Sequence, residues 1–263
     1  MIDLGYVGTG AIVTGGTRGI GRAVVELLLA QGARVLAVGS REATATQLAA
    51  EIDHPGLVTA AQDMREPDCG ERLVAEAVGA FGGLDLVVNN AAAFGYKPPA
   101  ELGREDWVEL FTLKALGYWS LARAATPALV ERRGAIVNVS GVAGIVASPD
   151  SANVGGVNAA VISMTESLAR SLAPQGVRVN VVSPGATDTD RFATRTALLA
   201  ERESLDAGAA RARLAESVPV GFPADPAELA LVIAMLGAPA LRSVTGAHVV
   251  VDGGGTLGAR RRT

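Results

Sequence analysis

The sequence predicts an α/β fold, a doubly wound seven-stranded parallel sheet flanked by helices, in a single domain spanning residues 1–263. Two observations predict it. Short, β-branched apolar runs of the kind buried on both faces alternate along the chain with segments of helical apolar spacing. The first such run, Ala11-Ile-Val-Thr14, stops at the glycine-rich turn Gly15-Gly-Thr17-Arg18-Gly19-Ile20-Gly21 and restarts as the helical stretch Arg22–Ala30, which Gln31-Gly32 ends. A helix that begins on glycines presents free N–H groups and the positive end of its dipole, where a pyrophosphate can sit. Gly15 allows the tight turn, Gly19 the approach of backbone to phosphate, and Gly21 the packing of helix on strand.

The remaining elements follow in order. Ala33–Val38 is the second strand, and Gly39-Ser40-Arg41 comes after it without a carboxylate to accept from a ribose 2′-hydroxyl. Arg41 and Arg18 are instead placed to face a 2′-phosphate, which favours NADP(H) over NAD(H) as cofactor. Residues 42–52 read as a helix and Leu57–Ala61 as the third strand, ending at Asp63, which is placed to cap the helix that starts near Pro67. Leu84–Val88 is the fourth strand. Residues 105–131 carry one long amphipathic helix with Trp107, Leu110, Phe111, Leu121 and Leu129 on its apolar side. Ala135–Val139, Val177–Val182 and Val249–Val251 complete the sheet, with a helix over about 153–172 between the first two. The polar, alanine-rich stretch 186–217 is either a functional connection or a solvated helix face.

Composition sets limits. At 49% hydrophobic and 19% charged, the 263 residues suit one sizeable core. A net charge of -4 gives no attraction to nucleic acid or to an anionic membrane, and the tail Arg260–Arg262 is too short to change that. A single cysteine, Cys69, excludes an intrachain disulfide and a cysteine-rich metal site, and no metal is expected. The amino terminus lacks the basic-then-apolar pattern of a signal peptide and no apolar run reaches bilayer length, so a cytoplasmic location is expected.

Five further segments occur in a telling order: Asp63; Asn89-Asn90-Ala91-Ala92; Ile136-Val-Asn138-Val-Ser140; Val179-Asn180-Val-Val-Ser-Pro184-Gly185; and Val244 to Asp252-Gly253-Gly254. With the glycine loop they make nearly the whole chain resemble the short-chain dehydrogenase/reductase family. That resemblance implies a Rossmann domain holding both cofactor and substrate sites. It assigns cofactor contacts to Gly15, Thr17, Arg18, Gly19, Ile20, Gly21, Ser40, Arg41, Asp63 at the adenine edge, Asn89, Ala91, Asn158, Pro184, Gly185 and Thr189 at the nicotinamide carboxamide. It also implies a small-molecule substrate, a mobile substrate lid over about 186–217, a short tail over 256–263, and a homodimer or homotetramer built on the two long helices.

The family reduces carbonyls with a Tyr-x-x-x-Lys pair on one helix face, a serine before that helix and an asparagine on the preceding one. Alignment on the fifth strand and on Ala159–Ala169 places Val154 where the tyrosine stands, Asn158 at the lysine, Gly141 at the serine and Lys114 at the asparagine. The only tyrosines are Tyr6, Tyr96 and Tyr118 and the only lysines Lys97 and Lys114, so no shift of alignment restores the pair. Ordinary ketone reduction is therefore expected to be very slow or absent. Lys114, Ser140 and Asn158 are the candidate catalytic residues, with Lys114 as proton donor or as electrostatic clamp for an anionic substrate; alternatively Lys114 fills a hole or pairs with Asp150. Ser140 is expected to point to the other side of the strand end, and His54 and His248 to be structural. Three readings stand open. They are a divergent NADP-dependent oxidoreductase, a pseudoenzyme subunit that forms a hetero-oligomer with an active relative, and a non-redox cyclase or dehydratase reusing the pocket.

Overall fold

The computed structural model describes residues 3–93, 97–147, 149 and 151–259; Tyr96, Asp150 and Arg260–Arg262 lie outside the described residues. The first half alternates strand and helix: β1 (Gly10–Thr14), α1 (Gly19–Ala30), β2 (Arg34–Gly39), α2 (Glu42–Glu51), β3 (Leu57–Ala61), α3 (Cys69–Phe81) and β4 (Leu86–Asn89). Then come α4 (Arg104–Phe111), α5 (Gly117–Arg132), β5 (Ala135–Val139), α6 (Ala152–Leu172) and β6 (Arg178–Pro184). The chain ends with α7 (Asp190–Glu203), α8 (Ala207–Glu216), α9 (Pro226–Gly237), β7 (His248–Val251) and α10 (Gly255–Ala259).

All strand pairings are parallel, in the order β3-β2-β1-β4-β5-β6-β7. Order reverses at β1, between β2 and β4, so the crevice above the carboxyl ends of β1 and β4 is the fold's ligand position. In register, Ile12 stands beside Leu36 on one side and Val87 on the other. Side chains alternate between faces: Ala11 and Val13 join Val35, Leu86 and Val137 in a core under α1 and α9, while Ile12 joins Leu36, Val87 and Ile136 in a core under α3 and α5. Both faces are covered, which is why the strands read as unbroken apolar runs.

Two features differ from the sequence expectation. The long helix of 105–131 is not regular: α4 and α5 are joined by a π-helical turn over Thr112–Leu116, a widened turn of the kind found at functional sites. Gly117 packs there against Met64, where an added Cβ would meet the Met64 carbonyl oxygen at 2.8 Å. Asp63 does not cap the following helix, because α3 starts later, at Cys69 after Asp68; its carboxylate accepts from the Arg65 guanidinium and backbone N–H instead. The stretch 186–217 is mostly two helices, α7 and α8, fastened by the Arg211–Asp188 and Arg213–Glu203 ion pairs. Among the described residues no helix is long and apolar enough to cross a membrane.

The buried Arg178 closes the carboxyl end of α9. Its guanidinium donates to the carbonyl oxygens of Leu236 (2.7 Å), Ala238 (2.9 Å), Gly237 (3.0 Å) and Val244 (3.3 Å). Asn180 also reaches Leu236 and Val244, and the Leu241 N–H also donates to the Ala238 carbonyl, so Arg178→Met leaves chiefly the carbonyl of Gly237 without its donor. The expected loss is about 3 kcal/mol, read in a thermal melt as a fall of roughly 6 to 12 °C; an unchanged melt would show that water replaces the guanidinium.

Candidate functional site

The glycine turn is shaped by what stands behind it. Gly15 has φ of +63°, and an added Cβ would lie 2.9 Å from Asn90 Nδ2. At Gly21 an added Cβ would collide with the Gly15 carbonyl oxygen and approach Asn90 Nδ2 to 2.5 Å. Asn90 donates from Nδ2 to the carbonyls of Thr14 (3.1 Å) and Gly15 (3.2 Å), while its own N–H and that of Ala91 donate to Thr14 Oγ1. The end of β4 is thus tied to the end of β1, and the loop is held open. The start of α1 has no side-chain cap and no acidic residue in its first turn, so its N–H groups and dipole remain available to an anion. Thr189, just before α7, overhangs the loop: its Cγ2 would lie 3.3 Å from a Cβ on Gly19. These cradles, which any side chain would fill, fit a dinucleotide pyrophosphate.

Around this loop the expected residues sort into three groups. Arg18 and Arg41 are exposed at the starts of α1 and α2, with no ion-pair partner among the described residues, and Ser40 is exposed beside Arg41. Thr17 packs near Gly39, Ile20 turns its side chain into the core and leaves its backbone to the loop, and Pro184 and Gly185 end β6 against Asp252. Asp63 is committed to Arg65, which holds its carboxyl below the usual carboxylate range. Asn89 is a correction. Its side chain is fully buried in the sheet, donating to Asn138 Oδ1 at 2.9 Å, so it does not face the cofactor crevice; its neighbour Asn90 does. Asn138 in turn donates to Thr165 on α6, a buried network that fixes α6 on the sheet.

At the carboxyl end of β5, against α6, the π turn delivers Lys114, 5% exposed. Nζ donates to Asn158 Oδ1 at 2.7 Å and to the Ser140 carbonyl oxygen at 3.0 Å. An ammonium has only donors, so the Asn158 amide oxygen must face it. Nδ2 then lies against Gly141, where an added Cβ would be 2.8 Å away. Asn158 therefore occupies the space in which a side chain at position 141 would begin. Burial, aided by the positive charge of Arg191, pulls the Lys114 pKa down to about 7. No carboxylate pairs with Lys114 among the described residues.

Ser140 points its hydroxyl away from the crevice, donating to the Asn158 carbonyl oxygen at 2.8 Å, so it anchors α6 and cannot offer that proton to a ligand in this arrangement. Tyr118, one turn after Lys114, is fully buried and donates to the carbonyls of Ala91 (3.0 Å) and Val139 (3.2 Å); burial raises its pKa, which makes it a brace and not an acid. His54 and His248 are structural: His54 Nδ1 accepts from the Gly56 N–H and His248 bonds Ser183 within the sheet. No cluster able to hold a metal occurs among the described residues.

A family model described as enoyl-(acyl carrier protein) reductase matches residues 15–256. The chain is 32% identical over 250 residues to the 3-oxoacyl-(acyl-carrier-protein) reductase of Vibrio cholerae, covering 93% of this chain and 96% of that protein. It is 36% identical over 251 residues to the L-rhamnose 1-dehydrogenase (NAD(P)(+)) of Azotobacter vinelandii, covering 92% and 94%. Among solved structures, L-sorbose reductase from Gluconobacter frateurii, complexed with NADPH and L-sorbose, matches with a TM-score of 0.89 at 25% identity, covering 96% of this chain and 98% of that one.

Proposed function

Because the chain belongs to the short-chain dehydrogenase/reductase family, we propose that it is an NADP(H)-preferring oxidoreductase in which Lys114 takes the part of proton donor. When bound, a dihydronicotinamide supplies the hydrogen and electron pair that reduce a carbonyl carbon. The residues of the chain supply the rest. The open start of α1 and the loop Gly15–Gly21 hold the pyrophosphate, and Arg41 with Arg18 take the 2′-phosphate. Thr189 and Asn158 orient the nicotinamide half. Lys114 Nζ gives its proton to the carbonyl oxygen and recovers one from water.

The observation that carries this reading is the Lys114–Asn158 pair. The two residues stand in each other's family positions, and their contact keeps one ammonium and one amide together beside the end of β5. A lysine with pKa about 7 exists in both protonation states at neutral pH, which suits a group that must give and regain a proton. The exposed Val108, Leu116 and Trp119 along α4, the π turn and α5 offer the apolar face for a homo-oligomer. The stretch 186–217 acts as the substrate lid.

Calorimetric titration with NADPH and NADH tests the cofactor half. NADPH is expected to bind at least tenfold more tightly. Arg41→Ala is expected to weaken NADPH by about 10- to 100-fold, the effect of one hydrogen bond to a charged group, with NADH affected less than about twofold. Equal affinities for the two nucleotides, or no binding of either at millimolar concentration, would overturn it.

A further inference from the structure

The polar side chains gathered around Lys114 have mostly spent their hydrogens. The Ser140 hydroxyl donates to the Asn158 carbonyl oxygen, and the Tyr118 hydroxyl to the carbonyls of Ala91 and Val139. Two of the three hydrogens on Lys114 Nζ go to Asn158 Oδ1 and the Ser140 carbonyl oxygen. The Asn158 amide is the exception: its Nδ2 carries two hydrogens and makes no hydrogen bond among the described residues. The residue is 4% exposed, yet this atom is not sealed, for the sealed polar atoms without a partner among the described residues are Arg34 Nε and Asn89 Oδ1. Nδ2 therefore opens to solvent beside the half-buried Gly141.

Three contacts hold the amide there. Lys114 pins Oδ1 at 2.7 Å, Ser140 holds the Asn158 main chain at 2.8 Å, and the 3₁₀ turn Val142–Gly144 closes on the residue, since a Cβ on Gly144 would come within 2.8 Å of Asn158 Cβ. At Gly141 the three atoms nearest to an added Cβ are Nδ2 (2.8 Å), Cγ (3.4 Å) and Oδ1 (3.7 Å) of Asn158. Gly141 has an extended backbone, with φ of 167°, so its conformation does not call for glycine. The room taken by the amide does.

We propose that Asn158 Nδ2 is a catalytic donor, binding the oxygen of the substrate carbonyl and the negative charge that grows on it during reduction, with Gly141 as the positioning residue that leaves the amide its place. This deepens the oxidoreductase reading and rests on it. The ammonium on Oδ1 draws electron density out of the amide, which makes its N–H groups stronger donors than those of an isolated amide. A donor fixed before the charge develops needs no reorganisation when it does. Lys114 Nζ is bonded to the other end of the same amide, so its third hydrogen lies one amide width from the oxygen that Nδ2 holds. The second hydrogen on Nδ2 is left for the nicotinamide half.

The test uses the whole protein with ¹⁵N in its asparagine side chains, the Nδ2 signal of residue 158 being assigned by Asn158→Asp. Cyclohexanone, dihydroxyacetone and ethyl acetoacetate are titrated with saturating NADP+, so that binding is read apart from turnover. At least one is expected to move the Nδ2 hydrogens downfield and, offered with NADPH, to be reduced. Asn158→Asp keeps an acceptor for Lys114 and removes the donor; it is expected to lower kcat for that ketone by about 10²- to 10³-fold, the effect of one oxyanion donor, with KM changed less than about threefold. Gly141→Ala, which displaces the amide, is expected to lower kcat in the same way while its thermal melt stays that of the parent. Nδ2 signals that no ketone moves overturn the proposal, as does a ketone that Asn158→Asp reduces within about threefold of the parent rate. A parent that binds no NADPH removes the oxidoreductase reading and this proposal with it. A ketone that moves the Nδ2 signals without NADPH oxidation upholds the donor and counts against Lys114 as proton source, so the two failures are distinct.

Discussion

Lys114→Met is expected to lower NADPH-dependent reduction by about 10²- to 10⁴-fold, the usual contribution of a positioned general acid, while NADPH binds with unchanged affinity. Methionine matches the lysine stem in volume and flexibility, so the buried space left by Nζ is filled without a large cavity. What is lost is the donor to Asn158 Oδ1 and the Ser140 carbonyl, and with it the proton beside the end of β5. The pH dependence carries the signature. Reduction needs the ammonium form, so its rate is level below about pH 7 and falls about tenfold per unit above it; alcohol oxidation needs the amine and rises through the same range. Stability moves with it. The folded pKa of Lys114 lies below its unfolded value of about 10.4, so between about pH 7 and that value the unfolded chain holds more protons and stability increases with pH. The methionine variant is accordingly most favoured over the parent at or below pH 7, and that advantage shrinks toward pH 10. A variant retaining turnover and the parent's pH profile would remove Lys114 from the reaction.

Gly21→Ala is expected to weaken NADPH by more than about 100-fold. The added Cβ has no room: the Gly15 carbonyl oxygen and Asn90 Nδ2 already occupy its position, and both are fixed by the hydrogen bonds that join β1 to β4. Backbone must move, at an overpacking cost of about 1–3 kcal/mol, and the N–H groups at the start of α1 lose their common focus. Calorimetry with NADPH reads the effect, with a thermal melt to show that the domain remains folded. Binding within threefold of the parent would mean that the loop does not hold a phosphate.

The fold was legible because both of its signals are local. Apolar runs with Val and Ile mark strands covered on two faces, and a glycine loop between strand and helix marks the crevice above β1 and β4. The alignment positions of Lys114 and Asn158 were legible too, but the partner offered for Lys114 was Asp150, and its contact with Asn158 comes from the structure. What the sequence hid were matters of phase. Asn89 and Asn90 are adjacent, and at a strand end only the pleat decides which one enters the sheet and which one faces the loop. Ser140 and Gly141 pose the same ambiguity, and the expected direction of Ser140 agrees with the hydroxyl turned onto α6. The π turn has no residue signature; Gly117, which follows it, packs against Met64.

The most direct measurement is the titration of Lys114 itself. The chain has two lysines, Lys97 and Lys114, so protein labelled with ¹³C at the lysine ε-carbon gives two signals, assigned by Lys114→Met. Lys97 is exposed and paired with Asp106, which raises its pKa above the ordinary lysine value. The account predicts one signal titrating near pH 7 and shifting when NADPH binds, and a second titrating above the ordinary lysine value. Two signals that both titrate at or above the ordinary lysine value and ignore the cofactor would contradict it.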